Sequence, residues 1–205
     1  MPLEHEAKFS LPSCLDLIAV LDGVGRRITS WHLESNTVYD RHGQLAATSR
    51  LLRLRRGAHT VLTFKEPGPE QSPVGIKTRL ETECLVADFV AMDRILRGLG
   101  YTPGLRYEKF RAVWDVAPGK IYLDILPFGH FLEIEAPPDA IGQLAVTLGL
   151  DPSLAMAQSY HDLHRQWREE HGLHPSPDFL FNDTEKQRLS TLLDCPIHQG
   201  DRNAD

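Results

Sequence analysis

The sequence predicts an α+β fold in which an eight-stranded antiparallel β-barrel is surrounded by α-helices. Charged residues recur at every second position on segments whose intervening residues are largely apolar, as in Glu4-x-Glu6-x-Lys8 and Glu133-x-Glu135. Successive side chains on a strand point to opposite faces, so each charged set shares one face. Both signs of charge occur on nearly every strand, which a solvated sheet face does not require. A closed barrel with a charged lumen explains the pattern.

The strands and helices can be placed in order along the chain. Strand-like segments cover about residues 3–9, 35–40, 50–56, 60–66, 76–84, 106–116, 119–126 and 131–136. Arg56-Gly57-Ala58 and Ala117-Pro118-Gly119-Lys120 are predicted hairpin turns, and Pro67 to Pro73 is predicted to be a longer loop. Helical spacing predicts helices over about residues 13–25, 88–99, 139–149 and 155–171.

The barrel domain is predicted to end near residue 170. Residues 1–170 form this domain, and residues 171–205 form a C-terminal extension. Pro175-Ser176-Pro177 breaks the chain, and Asp183 or Thr184 is expected to cap a short helix through Leu193. The tail from Asp194 to Asp205 is polar and is predicted to be disordered.

Composition argues against several classes of protein. A net charge of −6 argues against a broad basic surface for nucleic acid, and no apolar run is long enough to span a membrane. Three scattered cysteines do not make a disulfide framework or a zinc knuckle. The first residues lack the basic and apolar regions of a signal peptide, so we expect a cytoplasmic protein. No Gly-x-x-x-x-Gly-Lys motif occurs, which excludes a P-loop.

The charged residues of the predicted lumen fall into two chemical groups. Arginine forks and lysine point charges bind phosphate oxygens, whereas carboxylates without cysteine or paired histidine suit Mg²⁺ or Mn²⁺. Salt bridges that only support the barrel are the alternative, but desolvation offsets most of their Coulomb gain. We therefore favour a ligand site. The basic residues are Lys8, Arg53, Arg55, Lys65, Lys77, Arg79, Lys109 and Arg111, and the acidic ones are Glu4, Glu6, Glu81, Glu83, Asp124, Glu133 and Glu135.

These residues carry a resemblance to a known family. Glu4-His5-Glu6-Ala7-Lys8 matches the Glu-x-Glu-x-Lys signature of the CYTH superfamily, the triphosphate tunnel metalloenzymes. Further motifs follow in the family's order over about residues 2–165. They lie at residues 37–40, 52–55, 63–65, 79–83, 107–111, 124–129, 131–135 and 159–160.

The resemblance implies an eight-stranded tunnel that binds a small-molecule triphosphate together with Mg²⁺ or Mn²⁺. Carried over by position, the phosphate-binding residues are Arg53, Arg55, Lys65, Arg79, Lys109 and Arg111, and the charge pattern adds Lys77. The implied metal-binding residues are Glu4, Glu6, Asp124, Glu133 and Glu135, assisted by Glu81 and Glu83. Glu4, Glu6 and Lys8 are the expected catalytic residues, with Lys8 contacting phosphate or orienting the attacking group.

Three functions are compatible with this set of residues. We expect hydrolysis of tripolyphosphate or of a nucleoside or thiamine triphosphate, with release of orthophosphate. The alternative is a class IV adenylate cyclase, because residues 107–111 and 126–129 look like cyclase sequences, although the His-Phe lead of cyclases is missing before Glu4. A polyphosphate-binding module without turnover is the third, and the carboxylates argue against it.

Two further features of the C-terminal half are interpreted as surface positions. His161, His164, His171 and His174 are expected to form a polar helix face rather than a metal site. Lys186 is expected to be a solvated lysine on a frayed helix. The alternative for Lys186 comes from relatives in which a lysine of a C-terminal helix reaches the tunnel.

Overall fold

The structure, a computed structural model, describes residues 3–68 and 72–197. The strands in this part of the chain are β1 (Leu3–Leu11), β2 (Arg26–Asp40), β3 (Leu51–Arg56), β4 (Val61–Pro67), β5 (Lys77–Leu85), β6 (Thr102–Val116), β7 (Gly119–Leu126) and β8 (Gly129–Glu135). The α-helices are α1 (Ile18–Val24), α2 (Gln44–Ala47), α3 (Phe89–Gly98), α4 (Pro138–Thr147), α5 (Tyr160–Glu170) and α6 (Asp183–Leu192). None of the described helices has the length and apolarity needed to cross a membrane.

The strands form one closed antiparallel barrel in the order β1-β5-β4-β3-β2-β6-β7-β8. The ring closes where β1 pairs with β8, with Lys8 opposite Glu133. This confirms the predicted fold class. The hairpin turns between β3 and β4 and between β6 and β7 also lie where the sequence predicts them.

Strands β2 and β6 are longer than predicted. They begin at Arg26 and Thr102, whereas the alternation of side chains indicated starts near residues 35 and 106. The register of β2 against β6 shifts between Arg27 and Thr29 and again between Thr29 and His32, and each shift interrupts the alternation. The short helix α2 was not predicted either, because four residues are too few for a helical period.

The apolar side chains of the strands point outward and are covered by helices. On one side, Trp114, Leu123 and Ile134 of the barrel share a core cluster with Leu144 of α4. On the other side, Leu54 of β3 belongs to a second cluster that includes residues of α3. Burial of these side chains leaves the opposite, charged faces of the strands pointing into the barrel. We call the enclosed space the lumen.

The C-terminal extension belongs to the same core as the barrel. Phe181, Leu189, Leu193 and Cys195 are buried in the cluster that contains the outer faces of β6, β7 and β8. The predicted disorder is therefore wrong for residues 194–197, and residues 198–205 lie outside the described part of the chain. The predicted short helix is α6, although Asn182 caps it in place of Asp183 or Thr184 by accepting from the backbone N–H of Glu185.

Helix α5 lies across one end of the barrel, which we call the closed end. Tyr160 of α5 is buried in a cluster with Tyr107, Leu126 and Phe131 of the strands, and Phe179 completes it. The backbone ahead of α5 pairs with β1 where Lys8 and Met156 exchange hydrogen bonds of 2.9 and 3.0 Å. A capping box formed by Ser159 and Asp162 fixes the start of the helix at this position.

Candidate active site

The lumen contains a cavity of about 350 Å³ whose wall is made largely of charged side chains. Its basic residues are Lys8, Arg53, Arg55, Lys65, Lys77, Lys109, Arg111 and Lys120. Its acidic residues are Glu4, Glu6, Glu34, Glu81, Glu83, Glu133 and Glu135. The α5 residues Ser159, Tyr160 and His161 also line it, together with Tyr107 and Tyr122 of the strands.

Three carboxylates of the wall converge. Ligand oxygens of Glu4, Glu6 and Glu133 lie within 4.8 Å of one another, with Glu6 and Glu133 buried. The Lys8 ammonium lies 2.6 Å from Oε1 of Glu6 and 3.3 Å from Oε2 of Glu133, which offsets part of the repulsion among them. A set of hard oxygen donors at this spacing fits Mg²⁺ or Mn²⁺, whose first shell is completed by water or substrate oxygens.

Lysines from neighbouring strands surround this carboxylate cluster. Nζ of Lys65 lies 2.7 Å from Oε2 of Glu4 and 3.1 Å from Oε2 of Glu81. Nζ of Lys77 lies 3.4 Å from Oε1 of Glu6. The cations and the carboxylates therefore share one space rather than forming separate patches.

A buried aspartate anchors the cations of β6. Both oxygens of Asp124 accept from Arg111, at 2.7 and 2.6 Å, and Oδ2 also accepts from Lys109 at 3.3 Å and from the Tyr160 hydroxyl at 2.7 Å. Asp124 is 0% exposed and is not among the residues that line the cavity. The charge of Asp124 is thus neutralised by the residues that it positions.

The protonation of the glutamates follows from their partners. Burial and a hydrogen bond shared with Glu4 raise the pKa of Glu81 to about 8, which favours its protonated form. Burial also opposes ionisation of Glu133, but the charges of Lys8 and Arg111 outweigh it and hold the pKa well below its usual range. In Glu34 the cations Arg55 and Lys109 outweigh burial in the same way, and its pKa also lies well below the usual value.

Comparison with known families identifies the barrel. The sequence profile of the CYTH domain matches residues 3–147.

The chain belongs to the CYTH domain family. Similar solved structures include a candidate adenylate cyclase from Vibrio parahaemolyticus, with 19% identity, a TM-score of 0.66 and coverage of 78% of this chain and 97% of the other. HpAC1 from Hippeastrum, a candidate adenylyl cyclase reported to have a dominant triphosphatase activity, has 18% identity and a TM-score of 0.59 over 86% of this chain and 99% of its own. A protein from Pyrococcus horikoshii has 23% identity and a TM-score of 0.64 over 80% and 98% of the two chains. Comparison with curated proteins finds no similar one.

Some residues expected to act in the CYTH site lie elsewhere. Arg79 donates a 2.7 Å hydrogen bond to the backbone oxygen of Ser49 and does not line the cavity, so its guanidinium is directed toward a loop. Asp124 was expected to bind metal, but its oxygens are occupied by Arg111, Lys109 and Tyr160 as described above. Within the described residues, these are the two expected site residues that the cavity wall does not include.

The C-terminal residues of the CYTH chain also differ from expectation. Nζ of Lys186 lies 2.8 Å from Oε1 of Glu108, whose neighbour Lys109 faces the lumen, so Lys186 binds the outer face of β6. It is neither solvated nor directed into the tunnel. The interpretation of His161 and His164 as a polar surface is wrong, since His164 is 4% exposed and His161 lines the lumen.

Sequence reasoning missed several residues of the CYTH lumen. Glu34 lies 3.3 Å from Arg55 and 3.6 Å from Lys109, and it is buried between them. His32, two residues earlier on β2, also lines the cavity. The alternation of Trp31 and Leu33 with these two polar residues was the pattern that could have identified both.

Proposed function

We propose that this CYTH protein is a divalent-metal-dependent triphosphatase that hydrolyses the terminal phosphoanhydride of a triphosphate. Its substrates would be inorganic tripolyphosphate or a nucleoside or thiamine triphosphate. The observation that carries the proposal is the shared cavity, in which the cluster of Glu4, Glu6 and Glu133 lies beside Lys8, Lys65 and Lys77. Binding an anion alone would require the cations and not the carboxylates.

The basic residues supply the binding of phosphate oxygens. Arg53 and Arg55 offer planar guanidinium groups, while Lys8, Lys65 and Lys77 offer point charges. Arg111 is held by both oxygens of Asp124, so its position is set before substrate enters. Phosphoryl transfer depends mainly on positioning and on neutralisation of charge, and the lumen residues can do both.

Glu4, Glu6 and Glu133 are the residues that would hold Mg²⁺ or Mn²⁺. A bound ion of this kind neutralises phosphate charge and makes a coordinated water more acidic. In the hydrolysis, the oxygen of a water molecule bonds to the terminal phosphorus and the bridging P–O bond breaks. The electron pair of that bond leaves with the diphosphate, and one proton is released to solvent.

Product analysis tests the proposal. The protein is incubated with tripolyphosphate, ATP or thiamine triphosphate, each with Mg²⁺ and with Mn²⁺, and the products are separated by ion-exchange chromatography. We expect orthophosphate and the corresponding diphosphate. Cyclic AMP and pyrophosphate from ATP, with tripolyphosphate left intact, would instead identify a cyclase. Tight binding of tripolyphosphate without any product would identify a binding module.

A further inference from the structure

The described residues leave a small number of buried side-chain polar atoms without a hydrogen-bond partner. They belong to Glu34, Asn36, Arg53 and His161. Three of these residues line the lumen, and Asn36 lies in register with Arg55 on one side and Tyr107 on the other. A buried polar atom that lacks a partner costs free energy. The gathering of such atoms around the lumen indicates that they are arranged for a ligand.

His161 is held firmly at the closed end. It is the second residue of α5, and its ring lies edge-on to Tyr107 with centroids 5.1 Å apart. The ring of Phe179 lies 5.4 Å from it on another side. The Tyr107 hydroxyl accepts a 3.1 Å hydrogen bond from Arg53, which ties the same ring to the cationic wall. The buried atom without a partner on His161 is Nε2.

The surroundings of His161 are predominantly cationic. Burial lowers its pKa to about 4, and Lys77, Arg53 and His164 act in the same direction. Asp162, on the same helix, opposes them, but its carboxylate also accepts from Ser159 and Arg165. A neutral imidazole among cations is suited to an anion, since one of its nitrogens carries a hydrogen and a nearby negative charge favours uptake of a second proton.

We propose that His161 is a substrate-binding residue whose Nε2 donates a hydrogen bond to the phosphoryl group bound deepest in the lumen. This inference rests on the proposed triphosphatase function and specifies how the substrate lies. At the closed end, Tyr160 of α5 packs against Tyr107, Leu126, Phe131 and Phe179, and this cluster covers the lumen there. We therefore place a terminal, unsubstituted phosphoryl group at this end. A nucleoside or thiamine moiety would extend toward the opposite end, where Ala58 and His59 line the cavity.

The test compares His161→Leu with His164→Leu. His164 lies on the same helix, in the same aromatic surroundings, and is not among the cavity-lining residues. Calorimetry without metal measures binding of tripolyphosphate, and thermal unfolding establishes that each variant is folded. We expect the Kd to rise at least tenfold in His161→Leu, to be partly restored in His161→Gln, and to change less than twofold in His164→Leu. Equal affinities of wild type and a folded His161→Leu would overturn the proposal.

A measurement on the wild-type protein covers the case in which His161→Leu does not fold. Nitrogen-detected NMR of the histidine rings follows His161 and His164 during addition of tripolyphosphate. We expect the Nε2 signal of His161 to shift and its titration to move to higher pH, while His164 responds weakly. If the wild type hydrolyses tripolyphosphate but His161 does not respond, this inference fails and the proposed function survives. If the wild type neither binds nor hydrolyses tripolyphosphate or ATP, both fail.

Discussion

The hydroxyl group of Tyr160 donates a 2.7 Å hydrogen bond to Oδ2 of Asp124. Tyr160 begins the helix that covers the closed end, and Asp124 lies on β7 and holds Arg111 and Lys109. The Tyr160 ring also lies 5.2 Å from Nζ of Lys8 and 5.4 Å from Nζ of Lys109. One tyrosine therefore connects helix α5 to the cations of the lumen on two sides.

Replacement of Tyr160 by phenylalanine should loosen this connection. A buried carboxylate that loses a donor costs roughly 1–3 kcal/mol, so we expect a fall of that size in the free energy of unfolding, measured by urea denaturation. The affinity for tripolyphosphate should fall as well, because Lys109 and Arg111 are positioned by the same aspartate, Asp124, that Tyr160 binds. Tyr101→Phe is the control, since Tyr101 packs in the outer cluster with Leu52 and Leu96. Equal stability of the Tyr160 and Tyr101 variants would refute the anchoring role.

Replacement of Glu133 by glutamine should separate metal binding from anion binding. The variant removes one donor of the Glu4, Glu6 and Glu133 cluster, so we expect weaker Mn²⁺ binding by calorimetry and loss of turnover. Tripolyphosphate binding without metal should be retained or strengthened, since Lys8 and Arg111 lose a competing carboxylate. Glu66→Gln is the control, because Glu66 pairs with Arg50 away from the lumen. Full activity in excess EDTA would contradict a metal requirement.

Replacement of Arg53 or Lys65 by alanine should weaken substrate binding. Each side chain lies in the cavity wall, and a charge-assisted hydrogen bond contributes about 1.5–3 kcal/mol, equivalent to about tenfold or more in Kd. Calorimetry with tripolyphosphate measures the change. Arg97→Ala serves as the comparison, because Arg97 pairs with Asp93 on the surface helix α3. The role of the cations would be disproved by an unchanged Kd in both lumen variants.

Replacement of Leu189 by alanine should destabilise the whole barrel. Leu189 is 4% exposed and packs in the main core cluster, whereas Leu192 on the same helix is 55% exposed. Removing a buried leucine side chain costs about 2–5 kcal/mol, so the midpoint of urea unfolding should fall in one cooperative transition. Leu192→Ala should change it little. A separate early transition in Leu189→Ala would mean that the extension unfolds on its own.

The partly buried His161 at the closed end should make the protein less stable in acid. The pKa of His161 lies near 4 in the folded protein and near about 6.5 in an unfolded chain. The unfolded state therefore binds more protons as the pH falls from about 6.5 to about 4, and unfolding becomes easier by up to roughly 3 kcal/mol. His161→Gln should lose less stability than wild type between pH 7 and pH 4. The exposed His174→Gln should follow wild type, and parallel curves for all three proteins would contradict the burial of a neutral imidazole.

The barrel could be predicted from the sequence because most lumen residues alternate with apolar ones that must be buried. Glu4, Lys65 and Glu133 were found in this way, and each lies in the cavity wall. Glu34 was missed because β2 was predicted to begin only near residue 35, although the alternation of polar and apolar residues already includes His32 and Glu34. His161 was missed for a different reason, since it enters the lumen from a helix and the period of a strand does not apply to it.

Two expected site residues show what alternation alone cannot decide. Arg79 lies on the same face of β5 as Lys77 and Glu81, since every second residue of a strand shares a face. Its long side chain nevertheless reaches the backbone oxygen of Ser49. Asp124 also lies on the inner face of its strand, but Arg111, Lys109 and Tyr160 donate hydrogen bonds to it and separate it from the cavity. The alternation of residues in one strand predicts which face a side chain lies on. The position of that side chain along the barrel, and its partners, depend on the other strands.

The pairing of charges in the lumen has a consequence for the order of events on binding. Lys8, Lys65 and Lys77 lie 2.6, 2.7 and 3.4 Å from glutamate oxygens, so the barrel wall carries its own counter-ions. A polyanion that binds these lysines would compete for them with Glu4 and Glu6, which are also the residues suited to a divalent cation. If both ligands bind as proposed, they would exchange partners with the wall rather than compete with each other. Because coupling between two ligands is reciprocal, the divalent cation and the polyanion should each raise the affinity of the protein for the other ligand by the same factor.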